Sequence, residues 1–233
     1  MIFGPYRCDY SSVSGCISID NLIIELVDEI KFLGVYLDSK LLWKQHISQI
    51  SLTISRNIGI MSKLRYKLPT SAMLILYNTL ILPHLTYCII VWGCAGKTLL
   101  DRLFFLQKRS MRIITYSSYT AHTSPLFSKL GVLKLGDIYI LQVLLFVYNC
   151  RHPPCESKLC SFYYRFKFSF YNSNYSTRFS NRMLHIPYFR TEIRRHSITC
   201  IGAILFNKYL SLSDALSHFA MKKQIKSYLL NVY

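Results

Sequence analysis

The sequence predicts a mainly α-helical chain with a short antiparallel β segment at its N-terminus, on three observations. Beyond residue 40 the apolar side chains recur at steps of three and four, the spacing that gathers them on one face of a helix. Runs rich in β-formers and broken by turn residues are confined to the first forty positions, where they read as a hairpin or three-strand remnant. The charge divides at the same place: residues 1–40 carry −3 and residues 41–233 carry +20.

The strands come first. Residues 16–19 and 22–26 flank Asp20-Asn21, a turn-type pair, and a third run covers residues 30–37 with Gly34 inside it. So few short strands need something to pack on, so this region is expected to be a sheet edge lacking its partners. Residues 44–68 then place Ile47, Ile50, Ile54, Ile58, Met61, Leu64 and Leu68 on one helix face. Arg56, Lys63 and Lys67 fall on the opposite face, and Arg65 falls on the apolar side, where its charge is expected to snorkel outward. Pro69-Thr70 ends this helix and opens the next, over residues 71–82, and Pro83 opens another reaching Trp92.

A helix over residues 99–115 buries Leu99, Leu103, Leu106, Ile113 and Ile114 and presents Arg102, Lys108, Arg109 and Arg112. Residues 136–150 form a strongly apolar helix. Residues 152–188, rich in Tyr, Phe, Ser, Asn and Arg without a clear period, read as a long loop, and residues 197–210 and 213–230 as closing helices. The organisation is thus a stranded region over 1–40, a helical region over 41–150 and a C-terminal region over 151–233.

Composition narrows the function. An apolar fraction of 52% is too high for a disordered tail. A formal charge of +17 points to a polyanion, either nucleic acid or an anionic membrane surface. The N-terminus has no apolar run behind a basic start, so a nuclear or cytoplasmic, non-secreted chain with free thiols is expected. Residues 71–96 contain no charge and would be long enough to span a bilayer, but Pro83 divides them and Asn78, His84 and Tyr87 interrupt them. No membrane partner is expected.

Chemistry-bearing motifs are sparse. Cys150, His152, Cys155 and Cys160 form a ligand-like cluster whose spacing matches zinc sites poorly, so no metal site is expected. Gly93-Cys94-Ala95-Gly96-Lys97-Thr98 ends like a phosphate-binding loop but lacks its first glycine, and reads as a connection between helices. Beyond residue 40 the acids are Asp101, Asp137, Glu156, Glu192 and Asp214, far apart, with no Asp-Asp pair anywhere. Phosphoryl transfer needs carboxylates holding two cations close together, so no catalytic residue is assigned. The rows Arg56, Lys63, Lys67 and Lys108, Arg109, Arg112 have two readings, phosphate-tracking faces or solvated helix surfaces. The stretch Phe162-Tyr163-Tyr164-Arg165-Phe166-Lys167-Phe168 likewise either stacks bases or packs internally.

Several words occur in a characteristic order: Lys31-Phe32-Leu33-Gly34-Val35-Tyr36-Leu37-Asp38, Trp43, Leu68-Pro69, Leu82-Pro83-His84-Leu85-Thr86-Tyr87-Cys88, Val91-Trp92-Gly93 and Leu106-Gln107-Lys108-Arg109. In this order and spacing the chain resembles the region behind the active site of RNA-directed DNA polymerases from non-long-terminal-repeat retrotransposons of the jockey and chicken-repeat type. The resemblance implies that Phe32, Leu33 and Gly34 belong to a primer-grip hairpin and that residues 44–68 lead a helical, thumb-like bundle on an RNA or DNA template–primer duplex. It also implies that the catalytic aspartates and magnesium belong to a missing upstream polymerase domain, leaving this part inactive alone. The alternative is a non-functional genomic remnant or a helical protein-interaction module.

Overall fold

A computed structural model of the chain describes residues 18–19, 22–23, 27–152, 162–163, 165–166, 168–170, 183–209 and 217–232. Two short antiparallel hairpins precede the helices: β1 (Ser18–Ile19) with β2 (Leu22–Ile23), and β3 (Glu29–Phe32) with β4 (Val35–Asp38). The run over residues 30–37, expected as one strand from its composition, is instead folded on itself. Phe32 pairs with Val35, so Leu33 and Gly34 form a two-residue turn with φ of 45° and 82°. Positive φ at both central residues is the turn that matches the right-handed twist of a hairpin. Glycine accepts it freely, whereas leucine does so at a cost of about 1 kcal/mol.

Asp38 joins the hairpin to the helices. Its carboxylate oxygens accept the backbone N–H groups of Leu42 at 2.8 Å and Trp43 at 3.0 Å. This closes the turn into α1 (Lys44–Leu64), whose preceding residue Trp43 has φ 64°. The buried side of α1 is the expected one: Ile47, Ile50, Ile54, Ile58 and Met61. The helix stops at Leu64 instead of Leu68, which puts Lys67 in the following turn. Arg65 does not snorkel into solvent. Its guanidinium Nη2 donates to the Ser117 carbonyl at 2.7 Å, across 52 residues.

The uncharged stretch breaks into α2 (Thr70–Leu80), α3 (Leu82–Thr86) and α4 (Ile89–Trp92). The single helix expected from Pro83 to Trp92 is interrupted at Cys88, with φ 50°, and the Trp92 indole N–H donates to the Tyr87 carbonyl there at 2.8 Å. Among the described residues no single helix is long and apolar enough to cross a membrane. The pair α6 (Ser124–Leu130) and α7 (Leu135–Arg151) passes by length and composition, but it is bent by 50°, and α7 buries Leu135, Ile138, Leu141 and Leu144 in the common core.

α5 (Lys97–Ile114) packs more extensively on α1 than on any other helix. Gln107, fully buried, ties three elements together. Its Nε2 donates to the Tyr77 hydroxyl at 3.0 Å and the Leu133 carbonyl at 2.9 Å, while its Oε1 accepts the Leu135 N–H at 2.9 Å. Burial pushes the Tyr77 phenol up to about 12, so its hydroxyl stays neutral. On the far side, α8 (Glu192–Arg195), α9 (Ile198–Lys208) and α10 (His218–Asn231) follow, and α9 and α10 pack on α7. The close approach of α9 relies on Gly202, where an added Cβ would meet Val147 Cγ2 at 2.8 Å.

Candidate nucleic-acid interface

The candidate residues sit at three places. The first is the tip of the β3–β4 hairpin, where Phe32 is 60% and Leu33 75% exposed. The tip is held against the helices by Tyr87, whose hydroxyl donates to the Leu33 carbonyl at 2.5 Å. The Tyr87 phenol is raised above its ordinary range, first by the adjacent Cys88 thiol and then by burial, so it stays a donor. All four residues of β3 are exposed, leaving Ile30 and Phe32 uncovered on one side of the strand.

The second place is the outward face of α1. Arg56 and Lys63 are both exposed and seven residues apart, two turns along one side of the helix. Lys67 is exposed beyond the helix end. The third is the outward face of α5, with Arg102 and Arg109 exposed and Lys108 and Arg112 half-buried. Among the described residues the ion pairs are Arg195–Glu192 and His196–Glu192, so no described carboxylate neutralises these bases on α1 and α5.

The structure brings the second and third places together at one end. The Tyr116 hydroxyl donates to the Leu68 carbonyl, and Arg65 binds the Ser117 carbonyl. These two bonds set the turn containing Lys67 beside the C-terminal end of α5. Arg112 is partly committed there, since its Nε donates to the Ala121 carbonyl at 3.0 Å. Lys108 leans over the Phe104 ring, with Nζ 4.3 Å from its centre.

Reading by residue type missed the aromatic residues among these bases. Phe105 is 64% exposed, Tyr66 83% and Tyr119 80%. The signal for Phe105 was present: it lies three residues from Arg102 and Lys108 and four from Arg109, on the polar side of the α5 period. Tyr66, Tyr116 and Tyr119 stand in turns, where periodicity says nothing.

Other expected features resolve differently. Of the aromatic-basic stretch, Phe162, Tyr163 and Phe166 pack around the Phe146 ring at 6.4, 5.9 and 5.1 Å with Phe162 still half exposed, while Tyr164 and Lys167 lie outside the described residues. Cys150 is half-buried, with its thiol pushed up to about 12 by burial. Cys155 and Cys160 lie outside the described residues. Among the described residues no three His, Cys, Asp or Glu side chains gather to hold a metal ion. They do not fit a two-cation centre, and no chemistry through magnesium is assigned to them. Residues Gly93 to Gly96 connect α4 to α5, and Lys97 and Thr98 open α5; at Gly93 an added Cβ would meet Tyr139 Cδ2 at 2.4 Å.

Comparison with known proteins gives these faces a context. The chain is 31% identical over 124 residues to the RNA-directed DNA polymerase from mobile element jockey of Drosophila melanogaster, and 30% identical over 124 residues to its counterpart in Drosophila funebris. It is 29% identical over 128 residues to a Drosophila melanogaster protein described as a probable RNA-directed DNA polymerase from transposon BS. Each match covers 52% of this chain and 14% of the relative, so the matched segment is a small part of those proteins. No family model and no solved structure matches the chain. About half of this chain is therefore similar to a part of RNA-directed DNA polymerases of mobile elements.

Proposed function

We propose that the chain is a reverse-transcriptase fragment that binds template–primer nucleic acid through the outward faces of α1 and α5, and that it carries no polymerase activity by itself. The observation that carries the reading is the set of bases on those faces that no described carboxylate pairs with, Arg56, Lys63 and Lys67 with Lys108, Arg109 and Arg112, in a chain half of which is similar to part of RNA-directed DNA polymerases. Helices that present bases along one side neutralise successive phosphates without reading sequence. The exposed tip at Phe32, Leu33 and Gly34 serves as the primer-end contact. The uncovered side of β3 receives the upstream polymerase domain that supplies the aspartates and magnesium. On this reading the chain works in the nucleus or cytoplasm.

The test is fluorescence anisotropy of a labelled RNA–DNA hybrid duplex with the 233-residue chain. Affinity is expected to fall steeply between low and moderate salt, and the triple charge reversal Arg56→Glu, Lys63→Glu, Lys67→Glu is expected to flatten that slope by about one per lost phosphate contact. Duplex binding that ignores both salt and the reversal overturns the reading and favours a remnant or a protein-interaction module. Primer extension by the purified chain would refute the claim of inactivity.

A further inference from the structure

The exposed rings form a strip with the bases of α5. Phe105 projects from the outward side of the helix, with Lys108 Nζ 5.3 Å from its ring centre. Two turns further along the same side of the helix stands Arg112, whose guanidinium lies 5.9 Å from the Tyr119 ring. At the C-terminal end of α5, Tyr66 lies 6.3 Å from Tyr116 and carries the Arg65 guanidinium at 5.4 Å from its own ring. Phe105 and Arg112 are seven residues apart, about 10 Å along one side of the helix.

A duplex has no use for these rings. Its bases are already stacked and paired, so it offers a protein phosphates, sugars and groove edges. Unpaired bases expose flat faces that gain by stacking on aromatic side chains, while the strand's phosphates are met by nearby cations. A merely solvated helix face would gain nothing from a phenylalanine that is 64% exposed among bases. We infer that the strip from Phe105 through Tyr119 to Tyr66 is a track for single-stranded nucleic acid, with unpaired bases stacked on the rings and phosphates held by Arg102, Arg109 and Arg112. This rests on the nucleic-acid reading above and adds to it a distinct substrate class, the unpaired template next to the duplex.

The test compares an unstructured oligothymidine and an RNA–DNA hybrid duplex of equal charge on the wild-type chain, Phe105→Ala and Tyr119→Ala. Both replaced rings are exposed, so circular dichroism and melting temperature should be unchanged. Each substitution is expected to weaken oligothymidine binding by about tenfold, the scale of one lost base-stacking contact, and to leave duplex binding within twofold. A 2-aminopurine placed in the single strand should be quenched on binding to the wild type and less so on Phe105→Ala. Duplex binding retained while single-strand binding ignores both substitutions overturns the track and leaves the duplex reading standing. Equal losses on both ligands also overturn it, since stacking on unpaired bases would not be the cause. Failure to bind either ligand overturns the nucleic-acid reading and the track together.

Discussion

Tyr87 reaches across 54 residues of chain to donate its hydroxyl to the carbonyl of Leu33 at 2.5 Å. Leu33 has φ 45°, a conformation that costs a non-glycine residue about 1 kcal/mol. The bond therefore holds a strained turn in place and fixes the direction in which the exposed Phe32 and Leu33 side chains project. The ring of Tyr87 also flanks Gly34, 3.7 Å from where a Cβ would stand.

Tyr87→Phe removes this bond while keeping the ring. The bond is exposed, so global stability should fall by no more than about 1 kcal/mol. The amides of the β3–β4 hairpin should exchange with deuterium several-fold faster than in the wild type, while those of α1 and α5 stay protected. Unchanged hairpin exchange would show that Tyr87 does not restrain the tip.

Gln107→Leu keeps the volume of the side chain and deletes three hydrogen bonds. It leaves the Leu133 carbonyl and the Leu135 N–H without their buried partner. The loss should be roughly 2–4 kcal/mol, read from the midpoint of urea unfolding. The exposed neighbour Arg109→Leu should cost less than about 0.5 kcal/mol. If both substitutions cost the same, Gln107 is not the tie it is described as.

His46 gives the fold a pH dependence. It is 3% exposed, packs edge-on against Trp92 with ring centres 5.7 Å apart, and its Nε2 has no hydrogen-bond partner among the described residues. Burial holds its pKa below the ordinary 6.5. The unfolded chain therefore binds the proton more readily than the folded one, and stability is fully present above pH 6.5 and lost as pH falls below it. Unfolding curves between pH 7.5 and pH 5 should show this slope, and His46→Phe should reduce it. A slope that survives the substitution intact would have to come from another group.

Two glycines should respond in opposite directions. Gly59 lies on the exposed side of α1 with nothing within 4 Å of an added Cβ, so Gly59→Ala should stabilise by about 0.5–1 kcal/mol through helix propensity. Gly93 would place a Cβ 2.4 Å from Tyr139 and 2.5 Å from the Ile89 carbonyl. Gly93→Ala should destabilise by about 1–3 kcal/mol. Thermal melts of the two variants check both signs, and a shift in the same direction for both would contradict the packing described around Gly93.

By itself the sequence determined the long helices and their buried sides. The steps of three and four through Ile47, Ile54, Ile58 and Met61 leave one way to bury the apolar stripe of α1, and the same holds for Leu103 and Ile114 on α5. It also placed Arg56, Lys63 and Arg109 outward, because a charge avoids the side that loses water. The tertiary structure decided what depends on partners distant in the chain. The run 30–37, a single strand by composition and a hairpin by its resemblance, turns at Leu33 and Gly34, which both take positive φ, and Tyr87 holds the tip from 54 residues away. Arg65 turns to the Ser117 carbonyl, and Gln107 serves three elements, because those groups come within reach when α1, α2, α5 and α7 pack. The alignment of Tyr66 with Tyr116 and Tyr119 with Arg112 has the same origin: periodicity orders residues within one helix, and a surface shared by turns and helices exists only after those elements pack together.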